Sequence, residues 1–293
     1  MKNFPLNILI FFLSFQQLRS QDSIQYRIIL LGNAGEITRQ QKGILDNAIQ
    51  NSISKKTIAL FLGNNIYPKG MELGDKKSAQ VSQNILRSQY TGFRNKGVPV
   101  YFIPGISDWD NNGTKGYEKI IRVNDFINSK NDSLLQVIPD NACPGPFELA
   151  LNDNVVLVAM DTEWWLYPFS KHIEETDCEC KTKRGVLGKL NDIIERNRDK
   201  LIIFATNHPF KSYGRYGGYY PLTRHLFPFA NAKNNLYVPL PVVGSIYPLF
   251  RLTFPPVTDL SNQIYEDMNK DMASILKTHP NIIHVAAHEQ SLQ

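Results

Sequence analysis

Cysteine is scarce in this chain of 293 residues: it has three, Cys143, Cys178 and Cys180. So few thiols exclude a disulfide-dense scaffold, and with or without His172 they spell no standard zinc spacing. Dense charge is lacking too. Lys and Arg number 32 against 27 Asp and Glu, and the only close basic run is Lys181-Thr182-Lys183-Arg184. That run reads as a solvated loop, so no nucleic-acid partner is expected. Internal repeats, low-complexity tracts and dividing linkers are absent. At 42% hydrophobic and 11% aromatic residues the chain can bury a sizeable core, which excludes general disorder.

The N-terminus holds an apolar run, Phe4 to Phe15, well short of the ~20 residues a membrane-spanning helix needs. Lys2 precedes it, and Gln16-Gln17 and Ser20 follow. The pattern reads as a cleaved secretory signal over residues 1–20, with an uncleaved anchor as the alternative. No Cys follows the run, so a lipoprotein signal is not supported. Export to the periplasm, the outer-membrane surface or the medium places the thiols in an oxidising space. Cys178 and Cys180 are too close to bridge comfortably, so the expected disulfide joins Cys143 to either Cys178 or Cys180 and leaves one thiol over.

Near-continuous apolar runs recur at 26–31, 57–62, 98–103, 155–160, 201–205 and 282–286, as in strands buried on both faces. Helix-like stretches alternate with them at 38–52, 77–94, 116–129, 186–198 and 262–278. The alternation predicts an α/β fold with largely parallel pairing. The stretch 213–259, rich in Pro, Gly, Tyr and Phe and without a period, reads as a long ordered excursion.

Five short segments each follow one of the apolar runs: Gly32-Asn33-Ala34-Gly35, Gly63-Asn64-Asn65-Ile66-Tyr67, Gly105-Ile106-Ser107-Asp108, Asn207-His208-Pro209 and His288-Glu289-Gln290. Loops at the carboxyl ends of such strands are where α/β proteins place their sites. In order and context the segments resemble the GDxG, GDN, GNHD, His-before-Pro and GHxH motifs of the calcineurin-like metallophosphoesterases. Tyr67, three residues after Asn64, resembles the phenolate ligand of the purple acid phosphatase branch, tartrate-resistant type. The resemblance covers roughly residues 26–293. It implies a four-layer αββα sandwich of two mixed sheets, here over residues 21–293 and without its C-terminal strands.

The resemblance carries the metal-ligand positions onto Asn33, Asn64, Tyr67, Ile106, Asn207, His288 and Gln290. Only Tyr67 and His288 keep the family residue. The position of the catalytic acid falls on Ser107, with Asp108 its motif neighbour. The parent chemistry uses a dinuclear Fe/Zn or Fe/Mn centre to clamp phosphate and activate water. Two neutral amides in place of carboxylates, and Ile106 with no donor at all, leave no basis for assembling it. No cofactor is therefore expected; the alternative is one weakly held ion at Tyr67 and His288, with Asp108 as a third candidate ligand. An emptied carboxylate cluster would repel itself, whereas amides can satisfy one another.

The reading is a catalytically inactive phosphatase-like domain of an exported cell-envelope protein, acting as a binding or assembly module with an unknown protein partner. The alternative is an exported phosphomonoester hydrolase with a diminished single-ion site. His208, Arg215 and Tyr216 are the candidates for contacting an anion. His172, His225, His279 and His284 read as surface or structural histidines, and Trp164-Trp165 as a cap on the core. Some bacterial members of the branch run on into an outer-membrane barrel, so a continuation beyond Gln293 into such a region is a further expectation.

Overall fold

The computed structural model describes residues 24–229 and 237–289. The expected signal segment 1–20 and Gln290 lie outside the described residues. In chain order the elements are β1 (Arg27–Leu31), α1 (Arg39–Gln50), β2 (Thr57–Phe61), α2 (Lys76–Asn95), β3 (Val100–Phe102), α3 (Gly116–Asn128), β4 (Leu135–Val137), β5 (Phe147–Asn152) and β6 (Val155–Ala159). They continue with α4 (Thr162–Leu166), α5 (Lys183–Arg196), β7 (Leu201–Ala205), α6 (Leu222–Leu226), α7 (Pro241–Thr253), α8 (Gln263–Leu276) and β8 (Ile282–Val285).

The described strands form two four-stranded sheets, ordered β1-β2-β3-β4 and β5-β6-β7-β8. The protein is thus an α/β fold with two sheets. Among the described residues only the second sheet is mixed, which corrects the expectation of two mixed sheets. In the first, every step between neighbours crosses over through a helix (α1, α2, α3), so all pairs are parallel. In the second, β5 and β6 are joined by a tight turn at Asp153-Asn154, where Asn154 N donates to Asn152 Oδ1 at 2.8 Å, and they pair antiparallel. The β6-β7-β8 pairs are parallel.

Strand residues alternate between two cores because successive side chains leave opposite faces. Ile58, Leu60, Tyr101 and Ile103 of the first sheet meet Leu157, Ala159, Ile203 and Ala205 of the second in one shared cluster between the sheets. The intervening Ala59, Phe61, Val100 and Phe102 pack outward against Leu86, Phe93 and Ile127 from α2 and α3. Val156, Val158, Ile202 and Phe204 pack outward against α5 and α8 through Leu190, Ile193, Tyr265 and Met268. Trp164 and Trp165 are buried in this last core, as expected of a core cap.

Helix starts follow local chemistry. Thr38, Asp75, Asp161, Thr182 and Asn262 cap α1, α2, α4, α5 and α8, each accepting a backbone N–H of the first turn with its side chain. Such caps are each worth about 1 kcal/mol. The excursion 213–259 contains α6 and α7, which pack on each other. Gly244 makes that approach close, since a Cβ there would stand 2.1 Å from the His225 carbonyl oxygen.

Candidate functional site

Each of the five segments leaves the carboxyl end of its strand, and hydrogen bonds and close backbone approaches join all five there. Asn33 and Asn64 have φ of 55° and 56°, the left-handed region that asparagine tolerates better than most residues. Gly105 is needed for close approach: a Cβ there would lie 2.6 Å from Asn64 N and 2.8 Å from Asn207 Nδ2. Gln89, buried on α2, ties two of the loops by donating to Ala34 O at 2.9 Å and Asn65 O at 2.7 Å.

The asparagines bond one another and the backbone. Asn64 Nδ2 donates to Asn33 Oδ1 at 2.8 Å, and Tyr67 Oη donates to the same oxygen at 3.1 Å. Asn33 Nδ2 donates in turn to Ala287 O at 2.6 Å and Glu289 O at 3.1 Å, linking the two sheets. Asn64 Oδ1 accepts from Ser107 N at 2.9 Å, and Asn207 Nδ2 donates to Leu62 O at 2.7 Å. Ser107 Oγ, Asn207 Oδ1 and His288 Nδ1 are buried without a hydrogen-bond partner among the described residues. Ile106 contributes no polar side-chain atom.

At several positions that the resemblance assigns to metal ligands, the side-chain donors and acceptors are engaged with one another or with the backbone. The oxygen that a bridging or terminal ligand would offer, Asn33 Oδ1, already accepts two hydrogen bonds, one of them from Tyr67 Oη. Among the described residues no three His, Cys, Asp or Glu side chains converge on a common centre. Gln290 lies outside the described residues.

Asp108 is fully buried and faces only donors: Asn65 N at 2.9 Å, Gly105 N at 2.9 Å, Ile66 N at 3.0 Å and Asn65 Nδ2 at 3.1 Å. Burial raises its carboxyl to about 7 against the pull of those amides. It staples two loops together instead of facing the pocket.

His288 is held between Tyr216 and His208, with ring centroids 3.9 and 4.5 Å away. Its Nε2 meets the Thr258 carbonyl at 3.0 Å, which assigns the proton to that nitrogen. Burial, then the neighbouring His208, pushes its pKa well below the usual imidazole range. His208 is itself 0% exposed, with Nδ1 2.8 Å from Thr162 Oγ1 and Nε2 3.2 Å from Glu163 Oε2. Burial lowers His208 to about 3 and raises Glu163 to about 8. Both shifts make this contact a neutral imidazole beside a neutral carboxyl at pH 7, not an ion pair.

Glu289 carries a role that reading the motifs misses. Its carboxylate accepts from Ser212 Oγ at 2.5 Å, Arg215 N at 3.0 Å and Tyr216 N at 3.3 Å. Gly214 allows this approach, since a Cβ there would stand 2.2 Å from the carboxyl carbon. The glutamate thereby latches the 212–216 loop onto the end of β8. The Arg215 guanidinium lies over the Tyr216 ring at 5.0 Å and donates to Tyr216 Oη at 3.1 Å. Of the three anion candidates, Arg215 and Tyr216 sit together in this loop, and His208 lies behind His288. A single charged residue inside an otherwise neutralised motif was the available signal for Glu289.

Beside the loops runs a groove of about 1210 Å³, walled by α1, β1 and β8, with Asn33, Tyr67, His288 and Glu289 along its lining.

No family model, curated protein or solved structure matches the chain. Cys143 is bonded to Cys178, one of the two pairings the sequence allows, and Cys180 is free and buried. His284, expected to be a surface or structural histidine, is bonded to Thr206 Oγ1 at 2.8 Å and lowered by burial to about 4. His279 meets Glu195 at 3.3 Å on the surface.

Proposed function

We propose that the protein is a non-catalytic, metallophosphoesterase-like domain that serves as a binding or assembly module of an exported cell-envelope protein. The observation that carries this reading is the asparagine network. At positions where the resemblance places charged metal ligands, neutral amides pair with each other, with Tyr67 and with backbone carbonyls. Such pairing supports a domain whose strand-end loops are held without a cation, because the amides close the loops by hydrogen bonds alone. The two-sheet architecture with helices on both outer faces supports the four-layer sandwich that the resemblance implies. The disulfide is compatible with export.

Under this reading phosphomonoester hydrolysis is absent with iron, zinc or manganese supplied. The decisive assay is turnover of a chromogenic phosphomonoester by the purified chain beside its Tyr67→Phe and His288→Ala variants. A metal-dependent rate abolished by either substitution would overturn the reading and establish a single-ion hydrolase. A rate indifferent to both would belong to a contaminant.

A further inference from the structure

Helix α7 is amphipathic in the wrong sense for a soluble domain. At 3.6 residues per turn, Val242, Val243, Ile246, Tyr247, Leu249 and Phe250 fall within one arc of roughly 160°. That arc faces out: Val242 is 79% exposed, Phe250 62%, Leu249 61% and Ile246 60%. The side turned to the protein carries Gly244, Ser245, the buried Pro248 and Arg251, with the half-exposed Leu252 at its margin. Gly244 abuts the end of α6, Ser245 Oγ lies 3.1 Å from His225 Nδ1, and Arg251 forms a two-bonded ion pair with Asp259. Surface helices ordinarily do the reverse. A largely apolar exposed arc of this kind marks an interaction surface.

Charge and rim chemistry say what covers it. Between Asp199 and Asp259 the sequence contains no Asp or Glu, while Lys211, Arg215 and Arg224 fall in the interval. Arg224 stands on α6 beside the arc, 6.0 Å over the Tyr247 ring. Exposed Tyr213, Tyr219 and Phe254 belong to the same acid-free stretch. Aromatic and basic residues around an apolar helix face are the composition of an element lying in a bilayer interface. A protein interface carries about one hydrogen bond per 100–200 Å². Within the arc only Thr253 and the Tyr247 hydroxyl, itself bonded to Arg251, offer any. At 13 residues α7 is too short to span a membrane, so it would lie along the surface.

We propose that α7, with Arg224 of α6 beside it, docks the protein on an anionic phospholipid surface, with the outward arc of α7 seated among the headgroups and upper acyl chains. This inference is independent of whether the strand-end site is catalytic.

The test is co-sedimentation of the purified chain with vesicles of phosphatidylcholine alone and of roughly two parts phosphatidylcholine to one part phosphatidylglycerol. The wild type is compared with an Ile246→Asp, Phe250→Asp double variant and with Arg224→Glu. Both side chains of the double variant are exposed, so its melting temperature should match the wild type. A second pair, Ile246→Ser with Phe250→Ser, serves if it does not. The expected results are stronger binding to the anionic vesicles, weakened by salt, and a loss of about tenfold or more in the double variant. Arg224→Glu should narrow the preference for the anionic vesicles. Binding that the double variant retains would overturn the proposal, because another segment would be responsible. So would a wild-type dimer in vesicle-free solution that the same substitutions dissolve, since the arc would then seat a second copy.

Discussion

At the scale of single residues, asparagine and aspartate have almost the same shape and opposite consequences here. Asn33 donates from its amide nitrogen to two backbone carbonyls of the β8 end. Asn33→Asp would set a carboxylate oxygen against both, losing two hydrogen bonds and adding an uncompensated charge. We expect a loss of about 2 kcal/mol or more in urea unfolding at pH 7, not restored by added iron or zinc. An unchanged or raised midpoint would mean that the site prefers the acid. Glu289→Gln keeps the shape of the latch but turns an amide nitrogen toward Ser212 Oγ or Tyr216 N. Amide hydrogen exchange at Arg215 and Tyr216 should quicken by about tenfold, corresponding to one lost charged hydrogen bond of about 1.5 kcal/mol. Exchange that stays slow would place the latch elsewhere. The identities of these residues are legible in the sequence because each motif is contiguous. Their partners are not: Asn33 and Ala287 stand 254 residues apart, and only the meeting of two sheets brings them within 2.6 Å.

At the scale of elements, the alternation of apolar runs with helical stretches made six strands and five helices readable, although the edge strands β1 and β8 are only part-buried and not covered on both faces as the runs suggest. The missing ones share physical reasons. Strand β4 has three residues and β5 is half-buried, so neither yields a strong apolar run. Helix α7 keeps a helical apolar period but contains Pro248 and lies in a stretch rich in Pro and Gly, so the breaker rules count against it. The strand-end loops depend on backbones that nearly touch. Gly105→Ala would push a methyl group into the Asn64 amide and the Asn207 side chain, both fixed at strand ends. The expected cost is about 2–3 kcal/mol, seen as a lowered melting temperature with no new fold. A shift too small to measure would mean that these loops can separate freely.

Across the whole molecule, buried titratable groups set how stability responds to pH. Burial raises Asp161 and Glu163 to about 8 and Asp108 to about 7. Such acids are protonated in the fold and ionised in the unfolded chain from about pH 4 upward, so their contribution is lost as pH rises through the folded values. His208, lowered to about 3, and His284, lowered to about 4, act oppositely, as does His288. Their contribution is present above the ordinary imidazole value of 6.5 and lost as pH falls toward the folded values. The two sets oppose each other between about pH 4 and 6.5, and above that the carboxyls act alone. Stability should therefore fall from pH 6.5 to 8, by on the order of 1 kcal/mol per unit for each ionising carboxyl. Glu163→Gln should remove part of that fall; a midpoint that climbs over the same range would contradict the assignment.

Whether the amide-closed loops hold metal is read most directly as bound metal in the purified chain, by elemental analysis after equilibration with iron, zinc and manganese. A chain whose strand-end loops are closed by amides should carry no metal above background. Near one equivalent, lost on His288→Ala, or two equivalents, would contradict it.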